Sequence, residues 1–286
     1  MKNYKTIAED YREALQDLYE ADEAKQLFLM TFSSLTGKAA IHYGLLQQEN
    51  VSADDEASFT TTLSELRQGR PIQHILGKAD FYGYTFAVNE HTLIPRPETE
   101  ELVQLIVKEN KGKQGSLLDI GTGSGCIALT LKKQLPQYAV TALDVSPEAI
   151  AVARRNSKAL DADAEFILAD VLEWESFFQA DQTYDIIVSN PPYITPKEQE
   201  QMHSNVLNYE PHSALFVEEH APLIFYAAIA DLAKVHLSDG GSLYFEINQY
   251  LGPEMVDLLQ KKGFTDVNLL QDINGVDRMV SAKLKR

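Results

Sequence analysis

The run Asp119-Ile120-Gly121-Thr122-Gly123-Ser124-Gly125 constrains this chain more than any other segment. It follows a short apolar run, Leu117-Leu118, and opens onto a stretch with helical spacing that begins at Cys126. Three glycines at a strand-to-helix turn keep side chains out of the way and permit positive φ, so bare backbone can approach a ligand. From Ser116 onward, short apolar runs alternate with helical patterns, which predicts a parallel sheet covered by helices on both faces. Strands are predicted over 117–120, 140–143, 165–168, 185–189, 242–247, 266–270 and 279–283, and helices over 126–134, 147–158, 222–237 and 253–262. Only residues 271–277 separate the last two strands, too few for a crossover helix, so those strands pair antiparallel. The expected class is α/β, with a mostly parallel seven-stranded sheet.

What precedes the sheet is different in kind. Residues 1–76 read as a small helical domain, with Ile7, Tyr11, Leu15 and Leu18 at helical spacing. A later helix starts at Ser52 and the acids Asp54, Asp55 and Glu56, carries Phe59, Leu63 and Leu66 on one face, and stops at Gly69. Residues 77–96 read as a hairpin-like linker, because Phe81, Tyr84, Phe86 and Val88 nearly alternate around Gly83. The remainder, 97–286, is the catalytic candidate. It opens on a helix with Pro97 at its first position and Glu98, Glu100 and Glu101 close behind.

The glycine spacing is informative in what it excludes. A dinucleotide fingerprint would place its third glycine at Cys126, and a phosphate loop would end in Gly-Lys-Ser/Thr; neither is present. Instead Asp144 ends the next strand roughly twenty residues on, where a carboxylate can accept both hydroxyls of a ribose. Asp170 and Val171 end the strand after that and face an adenine from the same sheet edge. The helix beginning near Ser124 favours a carboxylate at its amino end, and Asp119 suits an ammonium. Together, Gly121, Thr122, Gly123, Ser124, Gly125, Asp144, Asp170 and Val171 point to S-adenosyl-L-methionine, released as S-adenosyl-L-homocysteine.

A fourth buried strand, Asp185-Ile186-Ile187-Val188-Ser189, delivers Asn190-Pro191-Pro192-Tyr193 at its carboxyl end. Successive prolines restrict themselves and the residues before them, so this turn is stiff and extended. An NH₂ on a carbonyl or aromatic ring is a poor nucleophile, because its lone pair is delocalised. The Asn190 side-chain oxygen and the Pro191 carbonyl can each accept one N–H and orient the nitrogen, while Tyr193 packs on the flat face. An amide and an exocyclic nucleobase amine (adenine N6 or guanine N2) fit this reading equally.

Charge separates the two. With 25 basic against 42 acidic residues, the formal charge of −17 repels a polyanion, so direct nucleic-acid binding is not expected. The basic tail Lys283, Lys285 and Arg286 reads as a solvated terminus. One cysteine, Cys126, and no H-E-x-x-H pattern make metal chemistry unexpected. The first residues, MKNYKTIAED, carry no apolar secretory stretch and no run is long enough to span a bilayer, so no membrane association and a cytoplasmic location are expected.

The chain resembles the HemK/PrmC family of protein-(glutamine-N5) methyltransferases over nearly its whole length. The resemblance rests on Pro71-Ile72-Gln73-His74-Ile75-Leu76-Gly77, Phe81-Tyr82-Gly83, Leu93-Ile94-Pro95-Arg96-Pro97-Glu98-Thr99-Glu100, the glycine run, Asp144, Asp170, Asn190-Pro191-Pro192-Tyr193 and Tyr209-Glu210-Pro211. It implies a Rossmann-like class I methyltransferase domain acting on the glutamine of the Gly-Gly-Gln motif in peptide chain release factors. It further implies cofactor contacts at Gly121, Thr122, Gly123, Gly125, Asp144, Val171 and Asn190, glutamine recognition by Asn190, Pro191 and Tyr193, and contact between the helical domain and the release factor. Arg96 fits a surface arginine as well as a wall of the cofactor pocket. The long loop 194–221 is expected to cover the substrate side, and Glu198, His203, Tyr209, Glu210 and His212 are its candidates for touching a partner.

Overall fold

A computed structural model of the chain describes residues 1–179, 181–199 and 204–285. His203 and Arg286 lie outside the described residues. The described residues fall into two compact units, one built from 1–78 together with 204–209, the other from those between 79 and 199 and from 210–285.

The first unit is helical: α1 (Tyr4–Leu15), α2 (Ala21–Thr36), α3 (Tyr43–Leu46), α4 (Ala53–Arg67) and α5 (Ile72–Leu76). Tyr4, Ile7, Tyr11 and Leu15 form one buried stripe along α1 and meet Phe28, Phe32, Phe59 and Leu66. Aromatic rings dominate this core; Tyr11 packs edge-on to Phe28 and its hydroxyl donates to the Phe59 carbonyl at 2.9 Å, so its polar tip is satisfied. Leu18 departs from the expected stripe. The helix ends at Leu15, which leaves Leu18 49% exposed, and Tyr19 is the residue that folds inward. Ser52 caps α4 by accepting the Asp55 N–H, while its own hydroxyl donates to the Asp55 carboxylate.

The second unit opens with a hairpin, β1 (Lys78–Phe81) and β2 (Tyr84–Ala87). Its two turn residues, Tyr82 and Gly83, both have positive φ, as a tight primed turn requires. Phe81 and Phe86 are fully buried in the core of this unit. Then follow α6 (Pro97–Asn110), β3 (Gly115–Ile120), α7 (Cys126–Gln134), β4 (Tyr138–Asp144), α8 (Pro147–Leu160), β5 (Glu165–Leu168) and β6 (Tyr184–Ser189). After β6 come α9 (Pro196–Gln199), α10 (Ser204–Tyr209), α11 (Ile224–His236), β7 (Leu237–Glu246), α12 (Gly252–Lys261), β8 (Thr265–Gln271) and β9 (Asp277–Lys283); α10 groups with the helical unit.

The seven-stranded sheet has the order β5-β4-β3-β6-β7-β9-β8. All pairings are parallel except those of β9, which runs against both neighbours. Successive side chains of one strand feed opposite faces: Ile186 and Val188 join the core with α6 and α7, whereas Ile187 joins the core with α11 and α12. That two-sided burial explains why these strands read as continuous apolar runs. No helix among the described residues is long and apolar enough to cross a membrane.

Strand order fixes where a ligand can go. From β3 the chain winds outward through β4 and β5, then returns to place β6 on the other side of β3. Between β3 and β6 lies a topological switch point, whose carboxyl ends open a crevice. The strand ends are level there, with Ile120 opposite Leu143 and Ser189, and Asp144 opposite Leu168.

Candidate active site

A cleft of roughly 290 Å³ lies at this switch point. Gly121, Gly123, Asp144, Asp170, Val171, Asn190 and Pro192 line it, so four separate strand ends contribute. His91 and Leu93 close one side, and Pro211, Ser213, Ala214 and Phe216 another.

The glycine loop is held by its neighbours. The N–H groups of Gly121 and Thr122 donate to the Leu143 carbonyl, and Gly123 N–H donates 2.8 Å to Asp144 Oδ2. Gly121 and Gly123 have φ of +74° and +55°, and a side chain at either would meet nothing within 4 Å. Glycine is therefore required there by backbone conformation, and the space above stays open. Gly125 differs: an added Cβ would lie 3.0 Å from Leu129 and 3.2 Å from Ala153, so packing of α7 on α8 also fixes it. Thr122 and Ser124 are buried rather than cleft-lining. Asn156, on α8, donates to the Ser124 carbonyl at 2.8 Å and exchanges two hydrogen bonds with the Ala87 backbone, tying loop, helix and hairpin together.

Asp119 sits beneath the loop, fully buried. Its Oδ2 accepts from the Thr122 hydroxyl at 2.6 Å and from Ala128 N–H at 3.2 Å, whereas Oδ1 has no hydrogen-bond partner among the described residues. Burial pushes this carboxyl up to about 7, against the pull of those two donors and aided by the nearby Asp144 charge. Asp144 is raised too, again by burial, although it accepts from Gly123 and, through Oδ1, from Ser146 N–H at 2.9 Å. Asp170 caps the short helical turn Val171–Ser176 by accepting from Leu172 N–H at 2.8 Å. Val145 and Leu172, 58% and 42% exposed, give the cleft apolar walls.

At the end of β6 the four predicted acceptor residues part company. Asn190 and Pro192 line the cleft; Pro191 is buried, and Tyr193 directs its hydroxyl to Glu246 at 3.2 Å. Burial first, and the Glu246 charge second, hold the Tyr193 phenol well above its usual range. The Asn190 Nδ2 donates to Thr99 Oγ1 at 3.3 Å, and the Thr99 hydroxyl donates to Glu246 Oε2 at 2.6 Å. Downstream, Asn248 donates to the Tyr193 carbonyl at 3.1 Å and to Glu198 at 2.7 Å.

Glu210 anchors the loop that follows. Its side chain, 1% exposed, accepts from Arg96 at 2.6 Å and from Ile94 N–H at 3.0 Å. Arg96 thus pairs with a buried carboxylate and does not line the cleft. Ile194 bonds both Leu215 and Val217 through its backbone, which brings Phe216 over the cleft. Glu246, Asn156 and Asn248 were not among the residues singled out from sequence, and Thr99 was named only within the run 93–100, without a role. Among the described residues no cluster of His, Cys, Asp and Glu could hold a metal ion.

Similarity to known proteins accords with this geometry. The methyltransferase small domain model matches residues 97–214. The release factor glutamine methyltransferase of Flavobacterium psychrophilum is 44% identical over the whole of this chain and 99% of its own length. The chain belongs to the release factor glutamine methyltransferase family. Another member, from Bacteroides thetaiotaomicron, is 45% identical over 95% of this chain and 96% of its own. The fold is shared more widely than the family: the crystal structure of a methyltransferase from Pyrococcus furiosus superposes with a TM-score of 0.53 at 16% identity, covering 82% of this chain and all of that one.

Proposed function

We propose that this chain transfers a methyl group from S-adenosyl-L-methionine to the side-chain amide nitrogen of the glutamine in the Gly-Gly-Gln motif of peptide chain release factors. The observation that carries the reading is the sharing of one cleft by Asp144, the open glycine turn and the Asn190 side chain. Full-length relatives named release factor glutamine methyltransferases support the choice of acceptor.

The residues present fit the cofactor. Each Asp144 oxygen accepts one backbone N–H and retains acceptor capacity for a ribose hydroxyl. Val145 and Leu172 offer apolar faces to a flat base, with Asp170 and Val171 beside them, and Gly121 and Gly123 admit the chain of the amino acid part. Thr122, Ser124 and Gly125 shape the turn, and the unpartnered Asp119 Oδ1 suits an ammonium. Bound there, the cofactor supplies an electrophilic methyl carbon.

On the acceptor side, Asn190 Oδ1 and the Pro191 carbonyl take the two N–H groups of the glutamine amide and turn its nitrogen toward the methyl group. Pro192 stiffens the turn, and Tyr193 walls the amide plane. A strong base is unnecessary, because an amide nitrogen that has gained a methyl sheds its proton readily to water. Residues 1–76 serve recognition of the release factor, which gives a role to a unit without visible chemistry.

Labelled methyl transfer decides the matter. Purified release factor should take up label on glutamine, while DNA and ribosomal RNA should not; label in RNA with none in release factor would overturn the assignment.

A further inference from the structure

The buried Glu246 carboxylate is used by no step above, yet it stands one strand away from Asn190. β7 ends at Glu246 beside β6, with Phe245 opposite Ser189. Glu246 is 1% exposed, and both its oxygens are engaged, Oε1 by the Tyr193 hydroxyl and Oε2 by the Thr99 hydroxyl.

The directions of these bonds follow from the donor and acceptor inventory. An ionised carboxylate only accepts, so the Thr99 and Tyr193 protons both point at Glu246. A hydroxyl has one proton. With that proton committed, Thr99 Oγ1 can only accept from Asn190, 3.3 Å away. The two ends of an asparagine amide have nearly the same shape, and its hydrogen-bond partners decide which end faces where. Here the NH₂ must face Thr99, which leaves Oδ1 for the cleft that Asn190 lines. Turned over, Asn190 would set one acceptor against another. Burial raises the Glu246 pKa, and the Thr99 and Tyr193 hydroxyls and the Arg278 charge oppose that rise.

We infer that Glu246 and Thr99 are positioning residues that, through a one-way hydrogen-bond relay, present Asn190 to the methyl acceptor as a hydrogen-bond acceptor, with Tyr193 fixed by the other carboxylate oxygen. The inference rests on Asn190 being the group that orients the acceptor amide. It also explains why a hydroxyl residue stands at the third position of α6 facing an acid 147 residues away.

The test compares Glu246→Gln, Thr99→Val and Thr99→Ser with Asn190→Ala, reading kcat, KM for release factor, cofactor Kd and thermal melting. Gln keeps the shape of Glu but carries an NH₂ that can occupy either end of the relay. We expect kcat to fall at least tenfold in E246Q and T99V with cofactor Kd within about twofold, and T99S to stay near wild type. Because the relay acts through Asn190, the double variant T99V/N190A should be no slower than N190A alone; independent roles would multiply. If N190A is inactive while T99V and E246Q turn over normally, or if the double variant shows multiplied losses, the relay is wrong and the reading of Asn190 stands. If N190A itself turns over normally, that reading fails. Should E246Q not fold, T99V, which exchanges one hydroxyl for a methyl, decides alone.

Discussion

Asp144 Oδ2 accepts the Gly123 N–H at 2.8 Å, so the residue that ends β4 braces the glycine loop that follows β3. Two tasks fall on one carboxylate: it shapes the loop and offers remaining lone pairs to the cleft. Asp144→Ala removes both, and we expect cofactor Kd to rise at least tenfold, about 1.4 kcal/mol, by calorimetry. Asp144→Asn retains one acceptor and should fall between. An unchanged Kd in both variants would exclude Asp144 from the cofactor site.

Among the described residues the Asn190 side chain makes one hydrogen bond, to Thr99, and it lines the cleft. Its replacement by Ala takes away an acceptor needed only by the reacting amide. The expected result is a loss of roughly 100-fold or more in kcat, in the range for removal of one preorganised polar contact to a reacting group, with little change in cofactor affinity. Near-normal turnover would sink the assignment.

Gly121 and Gly125 separate conformation from packing. Both have positive φ, yet only at Gly125 would a new Cβ crowd Leu129 and Ala153. Gly125→Ala should cost about 2–4 kcal/mol from overpacking and strain together, seen as a lowered melting temperature. Gly121→Ala should melt closer to wild type and lose more cofactor affinity. The reverse order would contradict the packing role.

What the sequence shows and conceals follows the range of each interaction. Strand positions were legible because β3, β4 and β6 are covered on both faces and so carry continuous apolar runs such as Leu117-Leu118 and Ile186-Ile187-Val188. Asp144 and Asn190 were legible because they terminate such runs. Leu18 kept the helical spacing and still misled, because spacing does not mark where α1 stops. Glu246 was invisible, Thr99 was named only within the run 93–100, and Glu210 only as a candidate for touching a partner; their actual hydrogen bonds join residues 147, 116 and 114 apart and leave no local pattern. Gly125 was legible as a glycine, while the neighbours that also demand it, Leu129 and Ala153, are known only from the packing of α7 against α8.

Glu210 holds Ile94 N–H and Arg96 and so fastens the segment carrying Pro211 and Phe216 to the cleft. Glu210→Ala strands the buried Ile94 donor, and we expect a loss of about 1–3 kcal/mol. Arg96→Ala should cost less, because the guanidinium is 34% exposed and its ion pair is partly screened. Chemical denaturation of the two variants measures the difference. Equal losses would show that the ion pair, rather than the Ile94 bond, carries the anchoring.

Asp119 gives the protein without ligand a specific pH dependence. Its carboxyl titrates near 7 when folded, against an ordinary value of 3.8. Well below 3.8 it is neutral in both folded and unfolded chains. Between 4 and 7 the unfolded chain ionises while the folded one keeps its proton, so stability falls as pH rises through this window, by at most about 4 kcal/mol. Above 7 the loss is complete. Asp119→Asn cannot ionise, so its stability should change less between pH 4 and 7 than that of the wild type. An ammonium opposite Oδ1 favours the ionised form and reverses the sense for binding: cofactor affinity should increase from pH 5 to 7, with up to one proton released per cofactor bound. Calorimetry in buffers of differing ionisation enthalpy counts that proton, and equal proton release by wild type and Asp119→Asn would remove Asp119 from the binding site.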